Sequence, residues 1–491
     1  MNEQAPFVQE TLDPNDWEAM RALGHQMVDD MLDFVKEIRE RPVWQHAQID
    51  VKEHFDSPPP LEPQPAESVY QEYLEFILPY PLGNCHPRFW GWIAGTGTVM
   101  GSFAELLATM TNTPSGAFAY MSPNYVERQV VNWCKEMLGY PLTASGLLTS
   151  GCSASNLIGL TVARNTRAGY DLRRSGLNQA PQLMRLYAST ESHSSVQKAV
   201  ELLGLGSEAL RSVPVNDSLQ INLQALKGMI KNDRENGYQP FCVVGGAGTT
   251  NTGAIDDLIP LADICQEEDL WLHIDAAFGA WAALAPDSGR LVAGMDRADT
   301  LAFDLHKWMY LPYAIGCILV KNEEAHRQAF SLTPTYLAHG EGERGITGVD
   351  IPWVSDYDFV LSRGFPALKV WMTFKEHGIH KLGRLIQQNI DQAHYLAGLV
   401  YTTPDLELAL PVSLNVVCFR FTHPGLDQTA LDDLNKQIEV ELQEQGIAVP
   451  SIVKIRGRQY LHVAVTNHRS RQEDFDQLVR EVLRIGKELA V

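Results

Sequence analysis

The sequence lacks any uncharged apolar run of the roughly 18 residues that a membrane-spanning helix needs, so no span is expected. Its first residues, MNEQAPFVQE, lack the basic and apolar regions of a secretory leader. Positive charge is scarce. Against 60 Asp and Glu stand 39 Lys and Arg, a formal net charge of −21. Such a surface repels nucleic acid and anionic membranes, and neither is expected as a partner. The seven cysteines (Cys85, Cys134, Cys152, Cys242, Cys265, Cys317 and Cys418) form no CxxC pair and show no metal-ligand spacing. Several lie in apolar runs, where a thiol acts as a small hydrophobe. This usage suits a reducing, cytoplasmic compartment, and no metal is expected. HExxH, GxxxxGK[ST], an EF-hand loop and internal repeats are also missing, which argues against zincins, P-loop enzymes, calcium sensors and solenoids.

What is present over 491 residues is ordinary globular composition, 45% hydrophobic and 20% charged. DPND at 13–16 reads as a helix start, with Asp13 as cap and Pro14 in the first turn. Apolar residues from Trp17 to Ile38 then recur at helical spacing. Residues 54–68, HFDSPPPLEPQPAES, read as an extended linker. Residues 1–84 are therefore a helical arm and linker, whose apolar stripe needs a surface such as a second subunit. From 85 to 379, short apolar runs alternate with helical patterns, the mark of an α/β domain with a mostly parallel sheet and helices on both faces. Within it, 331–357 is aperiodic and glycine-rich and reads as a mobile loop. Residues 380–491 read as a small α+β domain, with strands NVVCFRF and YLHVAV between helices at 428–444 and 470–489.

In parallel sheets, ligands bind at the carboxyl ends of strands. After LLTS come Gly151, Cys152 and Ser153, opening a helix that can hold an anion such as one phosphate. His193 follows LYAST, Thr250 follows VVGGA, Asp275 ends LWLHI and precedes Ala276 and Ala277, and Lys307 follows LAFDLH. A phosphate cradle, an imidazole, a hydroxyl, a carboxylate and a lysine suit one ligand, pyridoxal 5′-phosphate. The lysine would link to its aldehyde, and the carboxylate would keep its pyridine nitrogen protonated. Taken alone, His193 reads better as a helix cap or core histidine; the ordered set carries the weight.

SHSSVQKA with His193, HIDAA with Asp275 and DLHKW with Lys307 resemble the group II pyridoxal-phosphate amino-acid decarboxylases. That family includes the aromatic L-amino-acid, histidine and glutamate decarboxylases. LTPTYLAHG, LSRGFPALKVW and HPRFWGW extend the likeness from about residue 14 to the end. The resemblance implies fold type I (aspartate-aminotransferase-like), a homodimer and an L-amino-acid substrate that loses CO2. It implies Lys307 as the Schiff-base lysine, Asp275 as the pyridine partner and His193 stacked on the ring. It places Cys152 and Ser153 at the phosphate, and Thr250, Ala277 and His306 at further cofactor-side positions. Tyr336 matches the tyrosine that returns a proton to the substrate carbon, and Arg363 an arginine near the site with no assigned role.

Two departures stand out. Asp304 occupies a cofactor-side position where animal aromatic decarboxylases carry an asparagine that helps hold the phosphate. A carboxylate would repel the phosphate, so Asp304 is expected to accept bonds from backbone or a nearby arginine instead. In HPRFWGWIAGTG, Trp92 and Ile93 replace a Tyr-Phe pair. Phe89, Trp92, Ile93 and Phe103, with Trp90, make a candidate aromatic pocket, although aromatics at such spacing are more often core. The expected reaction is decarboxylation of an L-amino acid, most simply an aromatic one. The alternatives are oxidative decarboxylation–deamination to an aldehyde, which presence of Tyr336 disfavours, a non-aromatic substrate such as glutamate or diaminobutyrate, and a non-catalytic binding protein of the same fold. GTGTVMG at 95–101 resembles a dinucleotide-binding turn, but no acidic residue follows a second strand at the right distance.

Overall fold

Asp16, three residues later than the expected cap, starts helix α1 (Trp17–Lys36); its Oδ1 accepts the Glu18 and Ala19 amides at 3.0 and 2.9 Å. The computed structural model describes residues 10–116, 121–332 and 352–490. No residue of α1 is buried in the single chain. Short helices α2 (Ile49–His54) and α3 (Ala66–Glu72) trim the expected linker to 55–65, and α4 (Val99–Thr111) follows.

GTGTVMG, just before and into α4, is a packing device. A Cβ on Gly95 would lie 1.5 Å from the His306 carbonyl oxygen, and one on Gly101 would lie 2.5 Å from Pro312. These glycines let the chain press directly on the turn that carries Lys307, which accounts for them without a nucleotide.

The apolar runs become β1 (Ser145–Thr149), β2 (Met184–Ser189), β3 (Leu210–Val213), β4 (Gln239–Gly246), β5 (Trp271–Asp275), β6 (Thr300–Asp304) and β7 (Gly316–Val320). They form one sheet in the order β1-β7-β6-β5-β4-β2-β3. All pairings are parallel except those of β7, which is antiparallel to β6 and β1. β7 follows β6 through residues 305–315 alone, too short a connection for the helical crossover that parallel strands need. β2, β6 and β7 are buried along their whole length, as a sheet covered on both faces requires.

Alternate strand residues feed two cores. Leu148, Val243, Ile274 and Phe303 pack with α5 (Ser122–Met137), α9 (Leu223–Glu235) and α10 (Leu258–Glu267). Leu147, Leu186, Val244 and Ala302 pack with α6 (Cys152–Arg167) and α8 (Ser194–Leu202). The short α7 (Leu172–Ser175) and α11 (Glu323–Phe330) border the second core.

A second, antiparallel sheet has the order β10-β11-β9-β8, from β8 (Leu406–Leu408), β9 (Val416–Phe421), β10 (Ser451–Ile455) and β11 (Arg458–Ala464). Helices α14 (Gln428–Glu444) and α15 (Gln472–Leu489) cover it. After α12 (Ala367–His377), helix α13 (Ile379–Thr402) joins the two units: Leu382, Ile386 and Ile390 enter the large core, Leu396 and Val400 the small one. Residues 333–351 lie outside the described residues, but Trp353 and Tyr357 are buried, and the Ser355 amide donates to the Gly116 carbonyl at 3.2 Å. The expected loop thus does not extend through 357, because that stretch has a core contact and a backbone partner.

Gly95→Ala is expected to cost about 1–3 kcal/mol, the range for overpacking a filled interior. Equilibrium urea denaturation checks it; unchanged stability would mean that the 306–312 turn yields freely.

Candidate active site

Because β1, β2, β4, β5 and β6 run the same way, their carboxyl ends open on one edge of the sheet. There β6 ends at Asp304, and the chain turns at once through His306 and Lys307. The Lys307 ammonium lies 3.1 Å from Asp304 Oδ2, with 22% of the lysine side chain exposed. Asp304 Oδ1 accepts the Cys152 amide at 2.6 Å. Of the two expected alternatives for Asp304, backbone and arginine, it is a backbone amide that it accepts, and its cationic partner is Lys307. Burial pushes the ammonium pKa down, but the negative charges around it, Asp304 foremost, push it further up, so the net shift is upward. Gly316 makes room for this knot, since a Cβ there would meet Asp304 Oδ1 and the Gly151 backbone at 2.8 Å.

Asp275, at the end of β5, is partly exposed. Its donors are the Asn156 side-chain amide at 2.9 Å, the Cys152 thiol at 3.4 Å and the Ala277 N–H at 3.2 Å. Burial, then Asp275 and Asp304, holds the Cys152 pKa well above its usual value, so the thiol keeps its proton and donates. His193 caps α8: its Nδ1 accepts the Ser195 amide at 3.2 Å and lies 2.8 Å from Ser195 Oγ. The ring is exposed, so the cap reading holds and the core reading does not.

The other expected residues divide. Ser153 is exposed at the start of α6, as is Ser150 before it. Cys152 is not free for an anion: its amide goes to Asp304 and its thiol to Asp275, which corrects its expected phosphate role. Thr250 is fixed through its carbonyl, 2.9 Å from His462 Nε2. Ala277 is partly exposed. His306 is buried, and burial lowers its pKa; its Nδ1 lies 2.8 Å from the Ile315 carbonyl oxygen, which can only accept. Tyr336 lies outside the described residues. Arg363 gains a structural role: it pairs with Glu127 at 2.8 and 3.1 Å and donates to the Leu148 carbonyl, pinning the end of β1.

The expected aromatic pocket is corrected. Phe89 (3% exposed) packs with Val43 and Val449, Trp90 stacks on Phe475 at 5.0 Å inside the small core, and Ile93 (2% exposed) belongs to the large core. Side chains this buried offer a substrate almost no surface. Trp92 is 55% exposed, and Phe103 is half-buried on α4. The sequence reading missed Tyr313, half-exposed beside the His306 ring at 4.4 Å, with its hydroxyl accepting the Gly95 amide at 3.0 Å. It gave no role of their own to Asn156 and Ser195. One signal was available: Cys152 and Asn156 are one helical turn apart and so share a face of α6.

These residues fit pyridoxal phosphate on their own chemistry. Among the described residues, the donors to Asp275 are all neutral, so a protonated pyridine would supply the missing positive partner. Two accessible hydroxyls, Ser150 before α6 and Ser153 in its first turn, flank Gly151, whose φ of +150° suits glycine. Sheet order and strand-end chemistry together define the class, the fold type I pyridoxal-phosphate enzymes.

Comparison with known proteins narrows that class. The model of the pyridoxal-dependent decarboxylase conserved domain matches residues 49–422, and the chain belongs to that family. It is 31% identical to an aromatic-L-amino-acid decarboxylase of Bacillus atrophaeus, over 96% of this chain and 97% of that one. It is 29% identical to an aromatic-L-amino-acid decarboxylase of Sus scrofa, over 91% and 92%. In structure it is similar to Oryza sativa TDC crystallised with PLP and tryptamine, with a TM-score of 0.89 and 23% identity over 98% of this chain and 100% of that one. The chain is thus a pyridoxal-phosphate-dependent carboxy-lyase acting on an amino acid.

Asp304→Asn removes the charge that holds the proton on Lys307. Only the neutral amine attacks an aldehyde, so covalent capture of pyridoxal phosphate by the apoprotein should reach its plateau rate at lower pH in the variant. Stopped-flow absorbance measures this; an unchanged pH profile would remove Asp304 from control of the amine.

Proposed function

We propose that this enzyme decarboxylates an aromatic L-amino acid to the corresponding amine. The observation that carries the aromatic reading is the half-exposed ring of Tyr313 on the Lys307 turn, bonded to the backbone at Gly95. Trp92 and Phe103 supply further aromatic surface on the same stretch of chain, and the curated relatives named above act on aromatic amino acids by name.

In this reading Lys307 tethers the cofactor, and Asp275 accepts the pyridine N–H and keeps it protonated. Ser150 and Ser153, at the mouth of α6, would hold the phosphate. His193, Thr250, Ala277 and His306 would be the residues that hold the cofactor's ring. When bound, pyridoxal phosphate supplies the electron-withdrawing ring that takes up the electron pair left as CO2 departs. Tyr336 returns a proton to Cα, a general-acid contribution of about 10²–10⁴-fold. The Tyr313 ring, beside the His306 ring on the Lys307 turn, orients the substrate through its own ring.

The reading also includes a homodimer and a cytoplasmic setting. Supporting the dimer, α1 buries nothing within one chain, and Trp17, Met20, Leu106, Leu107 and Met110 are exposed on α1 and α4. The seven free thiols suit a reducing compartment. Among the described residues, no helix is long and apolar enough to cross a membrane. The three-part organisation of arm, large α/β unit and small α+β unit belongs to the same reading.

Two measurements test it. With pyridoxal phosphate, aromatic L-amino acids should give amine and CO2 in equal amounts, and Tyr313→Ala should raise KM for them more than it lowers kcat. Faster turnover of glutamate, or ammonia and peroxide matching the CO2, would contradict it. By light scattering the full chain should be a dimer, shifting toward monomer in Leu107→Asp/Met110→Glu; a wild-type monomer at micromolar concentration would contradict it.

A further inference from the structure

Asp275 ends a strand and His193 caps a helix, and nothing in the sequence couples them. One fully buried side chain does, Asn156 on α6. Its Nδ2 donates to Asp275 Oδ2 and to Ser195 Oγ, each at 2.9 Å. Its Oδ1 lies 2.9 Å from His273 Nε2. His273, on β5 and fully buried, places Nδ1 2.8 Å from Thr300 Oγ1, which also accepts the Trp271 indole N–H at 3.0 Å.

The protons in this chain have one consistent arrangement. An ionised carboxylate only accepts, so the amide nitrogen of Asn156 must face Asp275 and its oxygen must face His273. His273 Nε2 therefore carries the proton. Burial holds the His273 pKa down at about 4, so the ring is neutral near pH 7 and Nδ1 accepts from the Thr300 hydroxyl. On the other branch Ser195 Oγ accepts from Asn156, and its own proton goes to His193 Nδ1. The Ser195 backbone N–H also points at that atom. Two donors on one nitrogen leave no place for a proton there, so the His193 proton sits on Nε2.

Space for the relay is built in. Gly159, one turn beyond Asn156 on α6, would place a Cβ 2.8 Å from the His273 ring. A mid-helix glycine is unfavourable relative to alanine, and here it admits the imidazole that aims Asn156.

We propose that Asn156 is a positioning residue that sets the orientation of Asp275 and the tautomer of His193 as one unit, held in register by His273 and Thr300. This rests on the reading of Asp275 and His193 as cofactor-facing groups. It assigns the buried relay a function beyond packing: the carboxylate is held in a fixed direction, and His193 Nδ1 is kept as an acceptor so that Nε2 faces the cleft as the donor.

The test is pyridoxal-phosphate affinity of the apoprotein, with the bound-cofactor absorbance spectrum as a second readout. Asn156→Asp keeps the shape but removes both N–H donors and adds a charge beside Asp275. It should weaken affinity by about 10-fold or more, the scale of one charge-assisted hydrogen bond, and shift the spectrum. His273→Gln, which keeps an N–H within reach of Asn156, should recover most of the affinity that His273→Leu loses. If Asn156→Asp fails to fold, the histidine pair carries the test alone. Asn156→Asp with wild-type affinity and spectrum, or equal losses in His273→Gln and His273→Leu, would overturn the proposal. Asp275→Asn is measured alongside. If it too binds as wild type, the cofactor reading of the cleft has failed; if it alone loses affinity, only the Asn156 inference has.

Discussion

An ammonium largely withdrawn from water is costly unless paired, and the end of β6 is organised around that cost. Asp304 supplies the counter-charge three residues before Lys307 and also accepts the first amide of α6. The lysine turn and the helix mouth are thus tied through a single carboxylate. Gly95, Gly101 and Gly316 carry no side chain because neighbouring chain must close on this knot. Cys152 sits between the two acids of the cleft, with its amide on Asp304 and its thiol on Asp275. Position and charge at the lysine are therefore set before any cofactor arrives.

From this knot the site spreads along the sheet edge. β5 lies beside β6 and delivers Asp275; β4 and β2 bring the Thr250 and His193 loops within reach. Antiparallel β7 closes the far side with a short return, so the turn from 305 to 315 stays tight against β6. The second sheet contributes from below, where His462 of β11 holds the carbonyl of Thr250. Arg363, reaching from the segment before α12, pins β1 through Glu127 and the Leu148 carbonyl.

How much of this could be read from sequence depended on chemical distinctiveness. A lysine or aspartate at the end of an apolar run contradicts its surroundings, so Lys307, Asp275 and the strand-end logic were visible. So was the alternation that gives a mostly parallel sheet. Asn156 was not, because a neutral amide inside a helix carries no charge or periodicity to betray it; its importance comes from long-range partners. Asp304 was read as an acceptor for backbone, yet its ion pair with Lys307 depends on how the turn closes. Phe89, Trp90 and Ile93 misled because an aromatic or aliphatic side chain looks the same whether it lines a pocket or fills a core. Asp13 lost the cap to Asp16 since both fit the helix-start pattern, and only Asp16 aims an oxygen at two free amides.

The claim on which the rest stands is that the amine at position 307 is the cofactor's covalent anchor. Reduction of the holoenzyme with borohydride, followed by proteolysis and mass spectrometry, measures it directly. The account predicts one pyridoxyl-labelled peptide containing DLHKW, with the label on Lys307. Label on another lysine, or none on a protein that still decarboxylates, would contradict it.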